Sequence, residues 1–386
     1  MTPKFSDGNK LQLLRNGTAY FPELQQAIDA AKREIYLETY IFRDDETGQA
    51  IAAALARAAQ RGVAVHLLVD GFGCKDHFAE LRARLLAANV RVLVYRPKIS
   101  LLPLRRNRLR RMHRKLAVID ARVAFIGGIN IIDDSDTPDD NPPRYDYAVC
   151  IEGPLLAPIT EEVERLWSRV AWASLRRRWR AQRIAAVDAA PRGTQRAALV
   201  VRDNLRHRAD IEDAYLAAID NARTEIIIAN AYFFPGVRFR RALLDATRRG
   251  VRVMLLLQGR VEYFLQHYAS RAFYGPLLDA GVEIYEYKRS FMHAKVAVID
   301  QRWSTVGSSN IDPFSLLLAR EANIVVDDQP FAQELRRNLQ RDMEAGAMIV
   351  ANTAWRQQPW LERALIWASY NFARLLMGFI GYADKQ

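Results

Sequence analysis

The chain has 386 residues, 56 of them Lys or Arg and 44 Asp or Glu, for a formal charge of +12. Hydrophobic residues make up 50% and charged residues 26%, which excludes a mainly disordered chain, a collagen-like repeat and a disulfide-stapled miniprotein. The length favours two domains, and the positive excess points to an anionic partner, either nucleic acid or a phosphate-bearing membrane surface.

In chain order, Met1 to Leu14 is polar and lacks the apolar core of a secretory signal. Helical spacing recurs over 22–33, 47–61 and 75–87. Between these segments, IYLETYIF, VAVHLLVD and VRVLVY have the length and β-branched content of buried strands. The second half repeats the scheme with TEIIIANAYF, VRVMLLLQ and VEIYEY. The pairs AIDAAKREIYLETYIF (27–42) with AIDNARTEIIIANAYF (218–233), and MHRKLAVID (112–120) with MHAKVAVID (292–300), identify two copies of one fold. The β-α-β alternation predicts an α/β fold of two tandem halves, each a mixed sheet flanked by helices, packed side by side across one shared cleft. A break near 185–197 sets a first half at 1–190 and a second at 191–350, followed by a tail at 351–386. Cys74 and Cys150 offer neither a disulfide framework nor zinc-ligand spacing, so a reducing, cytoplasmic environment is expected.

Of the six histidines, His66, His77, His207 and His267 read as packed or surface residues. His113 and His293 share a pattern instead: His113, Lys115, Asp120, Gly127, Gly128 and Asn130 match His293, Lys295, Asp300, Gly307, Ser308 and Asn310. A single His-x-Lys at a strand end could be accidental, whereas two with matching Asp, Gly and Asn positions point to function. Alternation places His and Lys on one face, where imidazole can act as nucleophile or acid–base group and Lys and Asn can donate to phosphate oxygens. No metal-cage spacing accompanies them, and no cofactor is expected.

This duplicated motif resembles the HKD motif of the phospholipase D superfamily over roughly residues 10–350. The segments VDGFGC, MHRKLAVIDARVAFIGGIN, DYAVCIEGP and GSSNIDPFSLLLARE look most like the shorter bacterial cardiolipin synthases without N-terminal membrane spans. The resemblance implies one site between the halves, with a phosphohistidine on one histidine while the other protonates the leaving alcohol. It implies His113 as nucleophile and His293 as acid–base group, although the near-symmetric motifs do not fix that order. It also implies Lys115, Lys295, Asn130, Asn310 and Ser308 on the phosphate. As orienting carboxylates it implies Asp146 for His113 and Glu321 for His293. Asp120 and Asp300 belong to the motif, with a turn-holding role as the alternative. The implied reaction joins two phosphatidylglycerol molecules and releases glycerol. A hydrolytic phospholipase D, a superfamily nuclease and a non-catalytic lipid-binding module are the rivals.

Residues 81–119 hold twelve basic side chains and no acidic one, which leaves the rest of the chain evenly balanced. Leu101, Leu102 and Leu104 precede its arginine cluster, a composition suited to an anionic lipid surface. The aromatic stretch 360–383 reads as a helix in the membrane interface anchored by Trp360, Trp367 and Tyr370; Arg374 makes spanning costly. The expected partners are therefore phosphatidylglycerol and the cytoplasmic side of the cell membrane, bound peripherally, and not nucleic acid.

Overall fold

The computed structural model describes residues 3–97, 110–135, 137, 143–179, 181, 186–203, 206–312 and 319–379. Most of the leucine- and arginine-rich stretch 99–111, part of 174–183, and the end of the tail from 380 lie outside the described residues. The first half supplies β1 (Ser6–Arg15), β2 (Glu34–Thr39), β3 (Ala64–Asp70), β4 (Arg91–Tyr95), β5 (Arg111–Met112), β6 (Lys115–Ile119), β7 (Val123–Gly127) and β8 (Tyr147–Glu152). The second supplies β9 (Gln195–Arg202), β10 (Glu225–Asn230), β11 (Arg252–Gln258), β12 (Glu283–Tyr287), β13 (Lys295–Ile299), β14 (Trp303–Gly307), β15 (Ala319–Asp327) and β16 (Ala347–Ile349).

These strands form one sheet in the order β16-β12-β11-β10-β13-β14-β15-β9-β1-β8-β7-β6-β2-β3-β4, with β5 beside β15. Two sheets merely packed against each other were expected; instead they fuse edge to edge. The reason is β1, which pairs with β8 from Lys10 to Arg15 and with β9 through Ser6 and Asn9. The parallel strands β2, β3 and β4 are buried on both faces, so they read as continuous apolar runs. Helices Leu156–Ala173 and Gln329–Gly346 cover one face over a core shared by both halves. The opposite face carries one separate core per half.

The C-terminal helix Trp360–Phe379 lies against the second half. Ile366, Ser369 and Ala373 are buried, and Tyr370 stacks on Phe234 and meets Phe273 edge-on. Tyr370 therefore packs on the protein and is not the interface anchor its sequence suggests. Trp360 and Trp367 remain exposed, at 74% and 69%.

Asp120 and Asp300 do not reach the catalytic cleft. Each follows the strand that its motif lysine begins, at positive φ (52° and 51°), a backbone that Asp tolerates at a turn. Five residues of strand put each about 17 Å from that lysine. Asp120 accepts the N–H groups of Lys32, Arg33 and Glu34 at 2.8–2.9 Å, and Asp300 does the same for Arg223, Thr224 and Glu225. They tie the motif hairpin to the start of β2 and β10. Asp120→Ala should lower unfolding free energy by roughly 2–3 kcal/mol in a denaturant titration, since it strips the acceptor from three N–H groups. Substrate KM should stay unchanged; normal stability with lost turnover would return Asp120 to the catalytic set.

Candidate active site

The site is assembled by an exchange of strands between the halves. β5 runs parallel to β15, pairing Arg111 with Ala319 and Met112 with Arg320, and the His113 N–H donates to the Arg320 carbonyl at 3.0 Å. In the mirror arrangement Tyr145 bridges to Met292, and the His293 N–H donates to the Tyr145 carbonyl at 2.8 Å. Equivalent side chains at the ends of β3 and β11 hold both segments. The Asp70 carboxylate accepts the Met112 N–H at 2.7 Å, and the Gln258 amide oxygen accepts that of Met292 at 3.2 Å.

Consequently the histidine–carboxylate pairs are crossed. His113 Nδ1 lies 3.0 and 3.2 Å from the Glu321 carboxylate oxygens, and His293 Nδ1 lies 2.7 Å from Asp146 Oδ2. The sequence reading paired Asp146 with His113 and Glu321 with His293, because each carboxylate follows its own motif along the chain. Strand exchange overrides chain proximity. With Nδ1 turned to a carboxylate, each ring presents Nε2 to the cleft, and the ring centroids stand 6.5 Å apart. One phosphoryl group fits between them.

Both motif lysines are buried. Lys115 Nζ donates to the His113 carbonyl at 2.6 Å, and Lys295 Nζ donates likewise to that of His293 while lying 3.8 Å from Asp146. Asn130 and Asn310 line the cleft; Asn130 Oδ1 accepts the Ile41 N–H, which leaves its amide hydrogens for the cavity. Ser308 does not line it. Its fully buried hydroxyl donates to Glu321 Oε2 at 2.5 Å, so it orients the carboxylate and does not bind phosphate. Gly128 holds the matching position in the first half for a steric reason: a Cβ there would stand 2.3 Å from Asp146 Oδ1. Asp146 also accepts the Tyr147 N–H at 2.8 Å, a backbone donor where the other half uses a hydroxyl.

Burial governs the electrostatics. Desolvation lowers the proton affinity of His113, against the opposing pull of Glu321, and lowers that of His293 well below the usual value with help from Lys295 and Lys115. Desolvation also brings Lys115 down to about 7 and lowers Lys295, and it raises Asp146 to about 6. Both imidazoles are thus neutral near neutral pH, the form a nucleophile or general base requires.

The cavity above the histidines measures about 600 Å³. Its wall contains residues that the motif search passed over: Tyr40, whose ring meets His113 edge-on at 4.8 Å, and the chain Tyr232–Glu262–Arg144. The Tyr232 hydroxyl donates to Glu262 at 2.5 Å and Arg144 lies 3.5 Å from the same carboxylate. The tyrosines follow β2 and β10 within the repeated segments, which was an available signal; Glu262 and Arg144 sit in loops of unequal length and carried none. His66 lies in the core, stacked on Tyr36, and His207 pairs with Asp210, away from the cleft.

Ser308→Ala should lower kcat about fivefold to tenfold, through loss of one charge-assisted hydrogen bond on Glu321, with KM unchanged. A raised KM at constant kcat would restore Ser308 to the phosphate site. Gly128→Ala should be far more damaging, because its methyl group displaces Asp146 from His293. Steady-state kinetics on a phosphodiester substrate reads both.

Residues 24–167 and 215–343 match the family model described as a cardiolipin synthase, phospholipase D-like domain. The chain is 42% identical to cardiolipin synthase B of Escherichia coli K12 over 99% of its own length and 92% of that protein's. It is 28% identical to a minor cardiolipin synthase of Bacillus subtilis, covering 92% and 88% of the two chains. The crystal structure of a phosphatidylserine synthase from Haemophilus influenzae superposes with a TM-score of 0.69 at 15% identity, over 95% of this chain and 93% of that one, and so shares the fold. With the family model spanning both halves and both crossed histidine–carboxylate pairs, the chain belongs to the cardiolipin synthase family of phospholipase D-like proteins.

Proposed function

We propose that the chain is a cardiolipin synthase, which moves the phosphatidyl group of one phosphatidylglycerol onto a second and releases glycerol. The observation that carries this reading is the pair of imidazoles facing each other, each backed by a carboxylate of the other half, over a cleft with two buried lysines. His113 Nε2 attacks phosphorus, the bond from phosphorus to the glycerol oxygen breaks, and the leaving oxygen takes a proton from His293. The terminal hydroxyl of a second phosphatidylglycerol then gives its proton to His293 and attacks phosphorus. The phosphorus–nitrogen bond breaks and His113 is restored.

Charge balance supports this division of labour. Two lysines offset Asp146 and Glu321, so one phosphodiester anion calls for one proton on the histidine pair. Desolvation and the lysines hold His293 neutral, but Glu262 works in the opposite direction and favours its protonated form once the anion is bound. Lys115, Lys295, Asn130 and Asn310 then stabilise the charge on the non-bridging oxygens.

The apolar groups around the cleft support docking on a membrane. Phe72 and Tyr263 line it and are exposed, with exposed Val261 and Phe264 beside Tyr263. Helix Phe264–Arg271 continues to the C-terminal helix through Arg271, 3.6 Å from Glu362, and that helix exposes Trp360, Leu361, Trp367, Phe372 and Leu375. Among the described residues no helix is long and apolar enough to cross a membrane. These groups suit peripheral attachment to an anionic bilayer, on the reducing cytoplasmic side that unpaired Cys74 and Cys150 favour.

The direct test is purified protein with labelled phosphatidylglycerol vesicles and lipid mass spectrometry. Cardiolipin with one glycerol per turnover is expected; phosphatidic acid alone would make the protein a hydrolase. Protein quenched in alkaline denaturant should carry the phosphatidyl group on His113, and His113→Ala should carry none.

The pH profile provides an independent check. Lys115 is charged below about 7 and loses its proton above that value. Hence kcat/KM for the anionic lipid should fall as pH rises through 7, and Lys115→Arg, whose guanidinium stays charged, should flatten that limb. An unchanged alkaline limb in the variant would remove Lys115 as its cause.

A further inference from the structure

Strand alternation sends Glu321 toward the catalytic cleft and its neighbour Arg320 to the other side of β15. Arg320 is only 7% exposed, yet its Nε has no hydrogen-bond partner, and no described carboxylate makes a contact ion pair with it, the buried Glu38 acting on it only from a longer range. The contrast with Arg114 is direct. Arg114, buried still more deeply, is held by Glu38 and by Glu162, the latter at 2.7 Å. A buried guanidinium with no contact ion pair is costly, and an anion in direct contact with it would lower that cost.

Arg320 lies in the wall of two adjoining cavities of about 520 and 480 Å³, which also share Arg169. Around them stand Arg165 and Arg206 in one, and Arg96 and Arg110 in the other. The only carboxylates among the described lining residues are Glu162 and Asp203. Glu162 is engaged by Arg114 and Arg165, and Asp203 accepts the Arg206 and His207 N–H groups.

We propose that these cavities form a second anion-binding site, separate from the catalytic cleft, which takes a phosphate group on Arg320 and Arg169. Guanidinium forks match phosphate geometry, and several converging on one space make a binding site for such a group. The site is linked to the chemistry by one residue: the Arg320 carbonyl accepts the His113 N–H, and Glu321 accepts from its ring. The phosphate is either free in solution or carried on a lipid headgroup.

Equilibrium dialysis of the full chain against labelled inorganic phosphate counts the sites without requiring turnover, so this test stands apart from the proposed synthase activity. Two phosphates per chain are expected for the unsubstituted protein and one for Arg320→Met. Arg169→Gln, on an exposed helix position, should keep both but weaken the second about tenfold, the value of one charge-assisted hydrogen bond. In phosphate-free buffer Arg320→Met should melt no lower than the unsubstituted chain, because it removes a buried charge with no contact ion pair. A single phosphate on the unsubstituted chain, unchanged binding in both variants, or a lowered melting temperature for Arg320→Met would each overturn the proposal. Sedimentation with phosphatidylglycerol vesicles then distinguishes the source. A several-fold loss of vesicle binding in Arg320→Met, reproduced by excess phosphate, assigns a lipid headgroup, and equal vesicle binding in both proteins assigns free phosphate.

Discussion

Everything in this molecule that bears on catalysis depends on one exchange of backbone. The segment leading into His113 pairs with the strand that carries Glu321, and the segment leading into His293 pairs with the chain that carries Asp146. Neither half contains a complete histidine–carboxylate pair of its own. The fusion of the two sheets through β1 and β9 is the corollary, because a hydrogen bond of 2.7–3.0 Å tolerates little sliding between the parts that make it. A continuous, doubly buried sheet supplies that rigidity where two loosely packed domains would not. Asp120 and Asp300 serve the same end from a distance, by fixing the far turn of each motif hairpin to the adjacent strand.

The same burial that fixes the geometry also sets the protonation state. Two lysines, two carboxylates and two imidazoles share a space largely closed to water, and desolvation is the foremost cause of the shift for Lys115, Lys295, Asp146, His113 and His293 alike. Each of these five groups is driven toward its neutral form. A phosphodiester anion reverses that drive: it attracts protons to the lysines and to one imidazole, and so prepares its own electrophilic environment on binding. A neutral ligand of the same shape would not do so.

Much of this was readable in the sequence, for identifiable reasons. The paired segments 27–42 and 218–233 align because buried parallel strands favour apolar side chains, so duplication left a visible trace. His113, Lys115, Asn130 and their partners were legible because chemistry fixes their type and spacing. The crossed pairing was not, since nothing in the order of residues along a chain reveals that β5 leaves its own half to lie beside β15. Ser308 was misread for a related reason. A hydroxyl that shares the cleft with the motif Asn is indistinguishable in sequence from one that points the other way onto Glu321. Tyr370 shows the limit of composition, because an aromatic on a tail helix can face the bilayer or the protein, and only Phe234 and Phe273 decide between them.

The two halves have drifted in a way that respects this architecture. Where the second half combines Ser308 with the longer Glu321, the first combines Gly128 with the shorter Asp146 and a backbone N–H from Tyr147. Each solution gives a carboxylate one further donor and a fixed approach to the opposite imidazole, so chemical equivalence survives a change in both residues. The cavity has stayed small as well. About 600 Å³ is typical of a site for a drug-sized ligand and accommodates polar headgroups, but not the four acyl chains of two diacyl lipids. Those chains must remain outside, which is the physical reason for apolar side chains such as Phe72, Tyr263 and Phe264 to stand exposed at the entrance of a site whose interior is charged. On the proposed reaction the chemistry is buried while the acyl chains stay outside, and these rim side chains are the apolar surface on offer to them.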